Sequence, residues 1–211
     1  PRDGLQNQPR ILTVEERLAL IAAIAKAGVS SIEVGSFVSP RAVPAMAGTD
    51  EVVAGLPDDA VSYSALIPNK RGYELARAAG VKAVNMVLYA SEGMAQKNVN
   101  MSIAQAEEAT LDILASARKD GISVIAAVAT AFCCPYDGPT DPGVVRDITA
   151  RFIDQGLEQI VLADTIGAAN PGEVRSLTAD LVRAHGAGRI GCHFHDTRAM
   201  GVANVFAALE S

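Results

Sequence analysis

The stretch TVEERLALIAAIAKAGVSSIEV, Thr13 to Val34, holds one complete unit of the fold. Thr13 followed three residues later by Glu16 is a capping box: the hydroxyl can accept from one free amide of a helix N-terminus while the carboxylate reaches back to another. Leu18, Ile21 and Ala25 then recur with helical spacing, which predicts an amphipathic helix with one buried stripe. Gly28 stands where a left-handed stop belongs, a conformation that costs glycine nothing because it has no Cβ. Ser31-Ile32-Glu33-Val34 follows as a short strand.

The same punctuation returns along the chain. Helices are predicted from Asn69 to Gly80, from Ser102 with Gln105 to Gly121, from Asp141-Pro142 to Gly156 and from Asn170-Pro171 to Gly186. Apolar runs near residues 61–67, 83–88, 122–131, 158–163 and 190–195 lie between or beyond them, giving six strands with the first. Strands alternating with helices make a parallel sheet, and right-handed crossovers leave two main solutions, an open doubly wound sheet or a closed (β/α)8 barrel. No Gly-x-Gly-x-x-Gly follows the first strand, which disfavours the dinucleotide-binding fold. Glu33, Asp164, His193 and His195 instead gather at strand C-terminal ends, as in a barrel. The expected fold is therefore an α/β, TIM (β/α)8 barrel, with 1–211 as a single catalytic domain. Pro1-Arg2-Asp3-Gly4 resembles a loop leaving a strand, and six strands do not close a barrel of about 250 residues. The expectation is an incomplete barrel, a fragment lacking most of the first strand and the last unit.

Composition narrows the function. The chain has 211 residues, 49% of them apolar and 20% charged, enough to bury a sizeable core. A net charge of −6 without a basic run argues against a nucleic-acid surface. The longest apolar run, Val124 to Cys134 broken only by Thr130, is too short to span a bilayer, so no membrane partner is expected. Three cysteines, two of them adjacent at Cys133-Cys134, suit a reducing compartment, cytoplasmic or organelle matrix.

Chemistry concentrates in Arg189-Ile190-Gly191-Cys192-His193-Phe194-His195-Asp196-Thr197. Residues i and i+2 of a strand project from one face, so His193 and His195 can converge on one metal ion. Two ordinary half-buried histidines would give the same tripeptide, and the rest of the chain has to decide.

Four segments do so. Pro1-Arg2-Asp3-Gly4-Leu5-Gln6-Asn7, then Glu33 to Pro44 (EVGSFVSPRAVP), then Leu162-Ala163-Asp164-Thr165-Ile166-Gly167, then His193-Phe194-His195-Asp196-Thr197 resemble, in order and spacing, the hydroxymethylglutaryl-CoA lyase family within the metal-dependent barrel lyases and synthases. The resemblance implies that Asp3, His193 and His195 bind a divalent cation, Mg²⁺ or Mn²⁺, although the same ligand types also suit Zn²⁺. It implies that Arg2 is the electrophilic group that meets an enolate oxygen, that Glu33 pairs with Arg2 and fixes its fork, and that Asp3, His193 or a family Cys expected after Ser211 is the base. A small-molecule acyl-CoA substrate, a role in leucine degradation and a homodimeric assembly are compatible with it.

Other residues have cheaper explanations. Asp164 is either a hydrogen-bond acceptor for a ligand histidine or a cap for its loop, Thr165 is a turn hydroxyl, Cys134 a small buried thiol, and His185 a residue favoured by the helix dipole. The chain also departs from the family pattern. Where these lyases usually carry an Arg and a Tyr before the Cys-Pro-Tyr loop, it has Ile125-Ala126-Ala127. The family's glycine-rich loop with a mobile Cys, and an Asn that completes the metal site, would lie after Ser211.

The leading expectation is a carbon–carbon lyase that cleaves a 3-hydroxy-3-methyl acyl-CoA, hydroxymethylglutaryl-CoA or a related thioester, to acetyl-CoA and a keto acid. The alternatives are a Claisen-condensing synthase of the same superfamily, a metal-dependent barrel hydrolase, and a catalytically silent fragment.

Overall fold

Thr13 caps the first long helix as its spacing predicts: its Oγ1 accepts from the Glu16 amide at 3.2 Å, and its own amide donates to Glu16 Oε2 at 2.9 Å. The computed structural model describes residues 1–211, which divide into two units. The first comprises Pro1–Met86 with Ala115–Ser123, the second Val87–Leu114 with Val124–Ser211.

In the first unit, α1 (Arg2–Gln6) and α2 (Val14–Lys26) precede β1 (Ser31–Ser36), a single 3₁₀ turn (Pro44–Met46) and α3 (Thr49–Ala54). Next come β2 (Ser62–Leu66), α4 (Lys70–Ala78) and the start of β3 (Ala83–Tyr89). β2 lies between β1 and β3 and is parallel to both, so the three strand C-termini share one edge. Ile32 and Val34 of β1 pack with Ile21 and Val52, and Leu18, Ile24 and Ala25 close over them. Because side chains alternate, Glu33 emerges on the opposite face, away from α2 and α3.

A local irregularity sets the phase of β1. Pairing steps from Glu33↔Ser64 directly to Gly35↔Ala65, leaving Val34 as an extra, bulged residue. The bulge sits over the buried Arg17, 1% exposed, whose guanidinium donates to Ala47 O at 2.7 Å, Thr49 Oγ1 at 3.1 Å and Val34 O at 3.4 Å. Burial pulls the pKa of Arg17 down. A Cβ at Gly35 would lie 2.6 Å from Thr49 Oγ1 and 2.8 Å from Arg17 Nη2, so only glycine fits. Gly35→Ala should cost about 1–3 kcal/mol through overpacking, a fall in Tm of roughly 3–10 °C for a chain of this size. Thermal denaturation checks this, and an unchanged Tm would mean that the Arg17–Thr49 contact yields freely.

The second unit continues from β3 through α5 (Glu92–Val99) and most of α6 (Ile103–Asp120) to β4 (Ser123–Ala129). A small hairpin of β5 (Cys133–Cys134) and β6 (Gly138–Pro139) follows, then α7 (Pro142–Asp154), β7 (Gln159–Asp164), α8 (Pro171–His185), β8 (Ile190–Phe194) and α9 (Gly201–Leu209). β7 lies between β4 and β8 and is parallel to both. Val124, Ala126 and Val128 are buried, as are Ile160 and Leu162 of β7, so Ile125 and Ala127 occupy the opposite face of β4.

The predicted helix starts are present: Asn69 accepts from the Gly72 amide, Asp141 from that of Gly143, and Asn170 with Glu173 forms a second capping box. Gly28, Gly80, Gly121, Gly156 and Gly186 all have positive φ. One expectation fails: Pro1–Gly4 is not a loop, because Arg2–Gln6 forms a five-residue helix closed by the Leu5 amide on Pro1 O at 3.0 Å. Helices of five to eight residues are too short to show a clear hydrophobic period, which also hid α3 and α5, and the strands of the β5–β6 hairpin have only two residues each. No helix is long and apolar enough to cross a membrane, and all three cysteines are free.

Candidate active site

The first unit brings Arg2, Asp3 and Glu33 together. α1 places the Arg2 side chain, only 14% exposed, over the face of β1 from which Glu33 emerges. Arg2 Nε donates to Glu33 Oε1 at 2.5 Å, while Nη1 reaches Asp3 Oδ1 at 3.1 Å and Gln6 Oε1 at 3.2 Å. The far oxygen of Glu33 accepts from Asn85 Nδ2, and Asn85 also donates to Ser64 Oγ at 3.0 Å. Two of the guanidinium's three nitrogens are thereby committed to carboxylates, which fixes its plane.

The second unit brings His193 and His195 together. β8 carries His193 opposite Ala163 of β7, and His195 follows just after the strand end. Their Nε2 atoms are 3.1 Å apart, with the rings nearly perpendicular at 80°. His195 Nδ1 lies 2.7 Å from the carbonyl of Thr165. A carbonyl only accepts, so Nδ1 carries the proton and Nε2 is left with its lone pair. Two imidazole nitrogens bound at about 2.1 Å with a right angle between them stand about 3.0 Å apart, so this pair fits two adjacent positions on one cation.

The loop after β7 explains how that carbonyl is held. Asp164, 1% exposed, accepts from the Ala168 amide at 2.8 Å and the Ala169 amide at 3.2 Å. It caps its own loop, the second of the two roles its sequence allowed. Thr165 Oγ1 accepts from the Thr130 amide at 2.8 Å, and Thr130, at the end of β4, has a φ of 56°. A β-branched residue there is strained, a state kept where surrounding bonds over-determine it. At Gly167, with φ 62°, a Cβ would lie 2.8 Å from His195 O and 2.7 Å from Thr197 Oγ1, so the two loops touch only because glycine stands there. Cys134 is buried and accepts from Ser91 Oγ at 2.8 Å, and His185 ends α8.

Sequence reasoning missed two participants. The Thr165 carbonyl is a backbone group and leaves no signature in residue type. Asn85 is a polar residue inside an otherwise apolar strand, Ala83–Tyr89, and that anomaly could have singled it out.

Parallel strands alternating with helices, with Asp164 at the end of β7 and two imidazoles at the end of β8, define an enzyme of the (β/α)8-barrel class, although Glu33 lies within β1 and not at its end as expected. The HMGL-like family model matches residues 1–211, and the chain belongs to that family. It is 42% identical to the hydroxymethylglutaryl-CoA lyase of Pseudomonas mevalonii over 99% of this chain and 70% of that one. It is 40% identical to the (R)-citramalyl-CoA lyase of Chloroflexus aurantiacus over 100% of this chain and 70% of that one. The crystal structure of the hydroxymethylglutaryl-CoA lyase from Pseudomonas aeruginosa superposes with a TM-score of 0.94 at 39% identity, covering 99% of this chain and 70% of that one. The protein is thus a lyase of the oxo-acid type on an incomplete TIM-barrel framework, in a divalent-metal-dependent family.

Proposed function

We propose that this protein cleaves the C2–C3 bond of a 3-hydroxy-3-methyl acyl-CoA, giving acetyl-CoA and a keto acid, with residues 1–211 working as one catalytic domain in the cytoplasm or an organelle matrix. The observation behind the reading is the Arg2–Glu33 pair, in which Glu33 of β1 fixes the guanidinium that α1 carries. Cleavage begins when a base, Asp3 or His193, takes the C3 hydroxyl proton. The O–H electron pair becomes the new C3 carbonyl, the C2–C3 bond breaks, and its electrons move through C2 onto the thioester oxygen as an enolate. Arg2 receives that charge, which exists only along the reaction path, so its contribution falls on the transition state. The base then returns the proton taken from the hydroxyl to C2, which completes acetyl-CoA.

Asp3, His193 and His195 are the proposed holders of the cation, Mg²⁺ or Mn²⁺. When bound, it supplies Lewis acidity toward the substrate's hydroxyl and a neighbouring oxygen. His193 and His195 suit one cation through their paired nitrogens, and the Thr165 carbonyl orients the second ring. Assay of acyl-CoA cleavage with and without chelator tests the whole proposal: activity unaffected by chelation, or thioester hydrolysis without bond cleavage, overturns it.

Substrate choice follows from β4. Ile125 and Ala127 lie across from Gln159 and Val161 of β7, giving that wall no cation. A carboxylate buried there without a partner is strongly disfavoured. Hydroxymethylglutaryl-CoA should therefore not be the preferred substrate, and a different or less polar 3-hydroxy-acyl-CoA should have the higher kcat/KM. A panel of thioesters checks this. A preference for hydroxymethylglutaryl-CoA of about a hundredfold, about 2.7 kcal/mol, would mean that another cation serves its carboxylate.

A further inference from the structure

Glu33 is held from both sides, and only one of its two partners has a role so far. Arg2 Nε occupies Oε1, and Asn85 Nδ2 occupies Oε2. Asn85 belongs to β3, two strands from β1; it pairs with Leu66 of β2 and reaches across Ser64, to whose Oγ it also donates at 3.0 Å. Its amide oxygen is buried without a hydrogen-bond partner. An amide whose oxygen is buried without a partner is a poor choice for packing alone, because burying that oxygen costs free energy that no contact returns. What the amide supplies, and leucine could not, is a donor to Glu33.

We propose that Asn85 is a positioning residue for Arg2, acting through Glu33. The proposal rests on the role given to Arg2 above. The terminal torsion of a glutamate is broad, so one hydrogen bond to Oε1 leaves the carboxylate free to turn. A second donor on Oε2 fixes its plane, and Arg2 Nε, bonded in that plane, inherits the orientation. The guanidinium is thus aimed before substrate arrives, and the aim matters where enolate charge develops. Loss of the donor should therefore appear in kcat, with KM nearly unchanged.

The test is steady-state kinetics and thermal denaturation of Asn85→Leu in the wild-type and Glu33→Ala backgrounds. In the wild-type background kcat should fall about 10- to 100-fold with KM within about twofold, while the protein still unfolds in one cooperative transition. With Glu33 removed, the same substitution should cost less than about twofold, since there is nothing left to position. Asn85→Asp, which sets an acceptor against an acceptor, should be at least as slow. Asn85→Ala gives the same readouts without added volume should leucine disturb folding. A wild-type kcat, a loss confined to KM, or an equal loss in both backgrounds overturns the proposal. A normal kcat for Arg2→Lys would instead remove the role of Arg2 itself, whatever Asn85→Leu does.

Discussion

Lysine in place of Arg2 should lower kcat by about 10²- to 10³-fold while KM changes by no more than about threefold. Lysine keeps the charge and approximates the length, so a purely electrostatic anchor for the substrate would survive the change. It loses the planar fork. Arg2 uses Nε for Glu33 and Nη1 for Asp3 and Gln6, so that the remaining N–H groups face in a direction set by three neighbours. An ammonium cannot satisfy those acceptors and still offer a fixed donor to the enolate oxygen. The partners left behind matter too: with the guanidinium gone, two carboxylates beside each other lose the cation that separated them. Steady-state kinetics with a cleavable acyl-CoA decides the matter. A variant whose KM rises while kcat holds would show that Arg2 anchors the substrate without stabilising the transition state.

Much of the framework is legible in residue order because it rests on local rules. Thr13 with Glu16, Asn170 with Glu173, and the glycines at 28, 80, 121, 156 and 186 act within a few residues of themselves, and so the helices start and stop where their spacing predicts. Arg2, Asp3 and Glu33 could be named from short segments, and β1 and α1 bring them into one cluster. What escaped depends on pairing between distant strands. Nothing near Asn85 says that β3 will carry its amide to Glu33, because that contact is set by register across two ladders. The bulge at Val34 is equally silent, since it arises from how β1 meets β2 over Arg17. The Thr165 carbonyl escaped for a different reason: every residue has a carbonyl, and only the capped loop after Asp164 makes this one an orienting group for His195.

Removing that imidazole should have an effect comparable in size to the loss of Arg2, and one that can be read without turnover. His195→Ala should weaken binding of Mn²⁺ or Mg²⁺ by about 100-fold or more, the upper end of what even an orienting partner of a ligand is worth, and activity should fall with it. The reason lies in how the pair is prepared. With its Nδ1 proton committed to Thr165 O, His195 turns Nε2 toward Nε2 of His193, 3.1 Å away, which is the spacing the proposed pair of ligands needs. Alanine leaves His193 without its neighbour and the Thr165 carbonyl without its donor. Binding also stabilises the folded state: at a metal concentration about 100 times Kd the gain is about 2.7 kcal/mol, or roughly 5–10 °C in Tm for a chain of this size. The native protein should show that shift on addition of Mn²⁺, and His195→Ala should show almost none at the same concentration. Metal analysis after gel filtration gives the independent readout. Stoichiometric metal retained by the variant, with an undiminished thermal shift, would remove His195 from the ligand set and leave it as a hydrogen-bonded strut between the loops after β7 and β8.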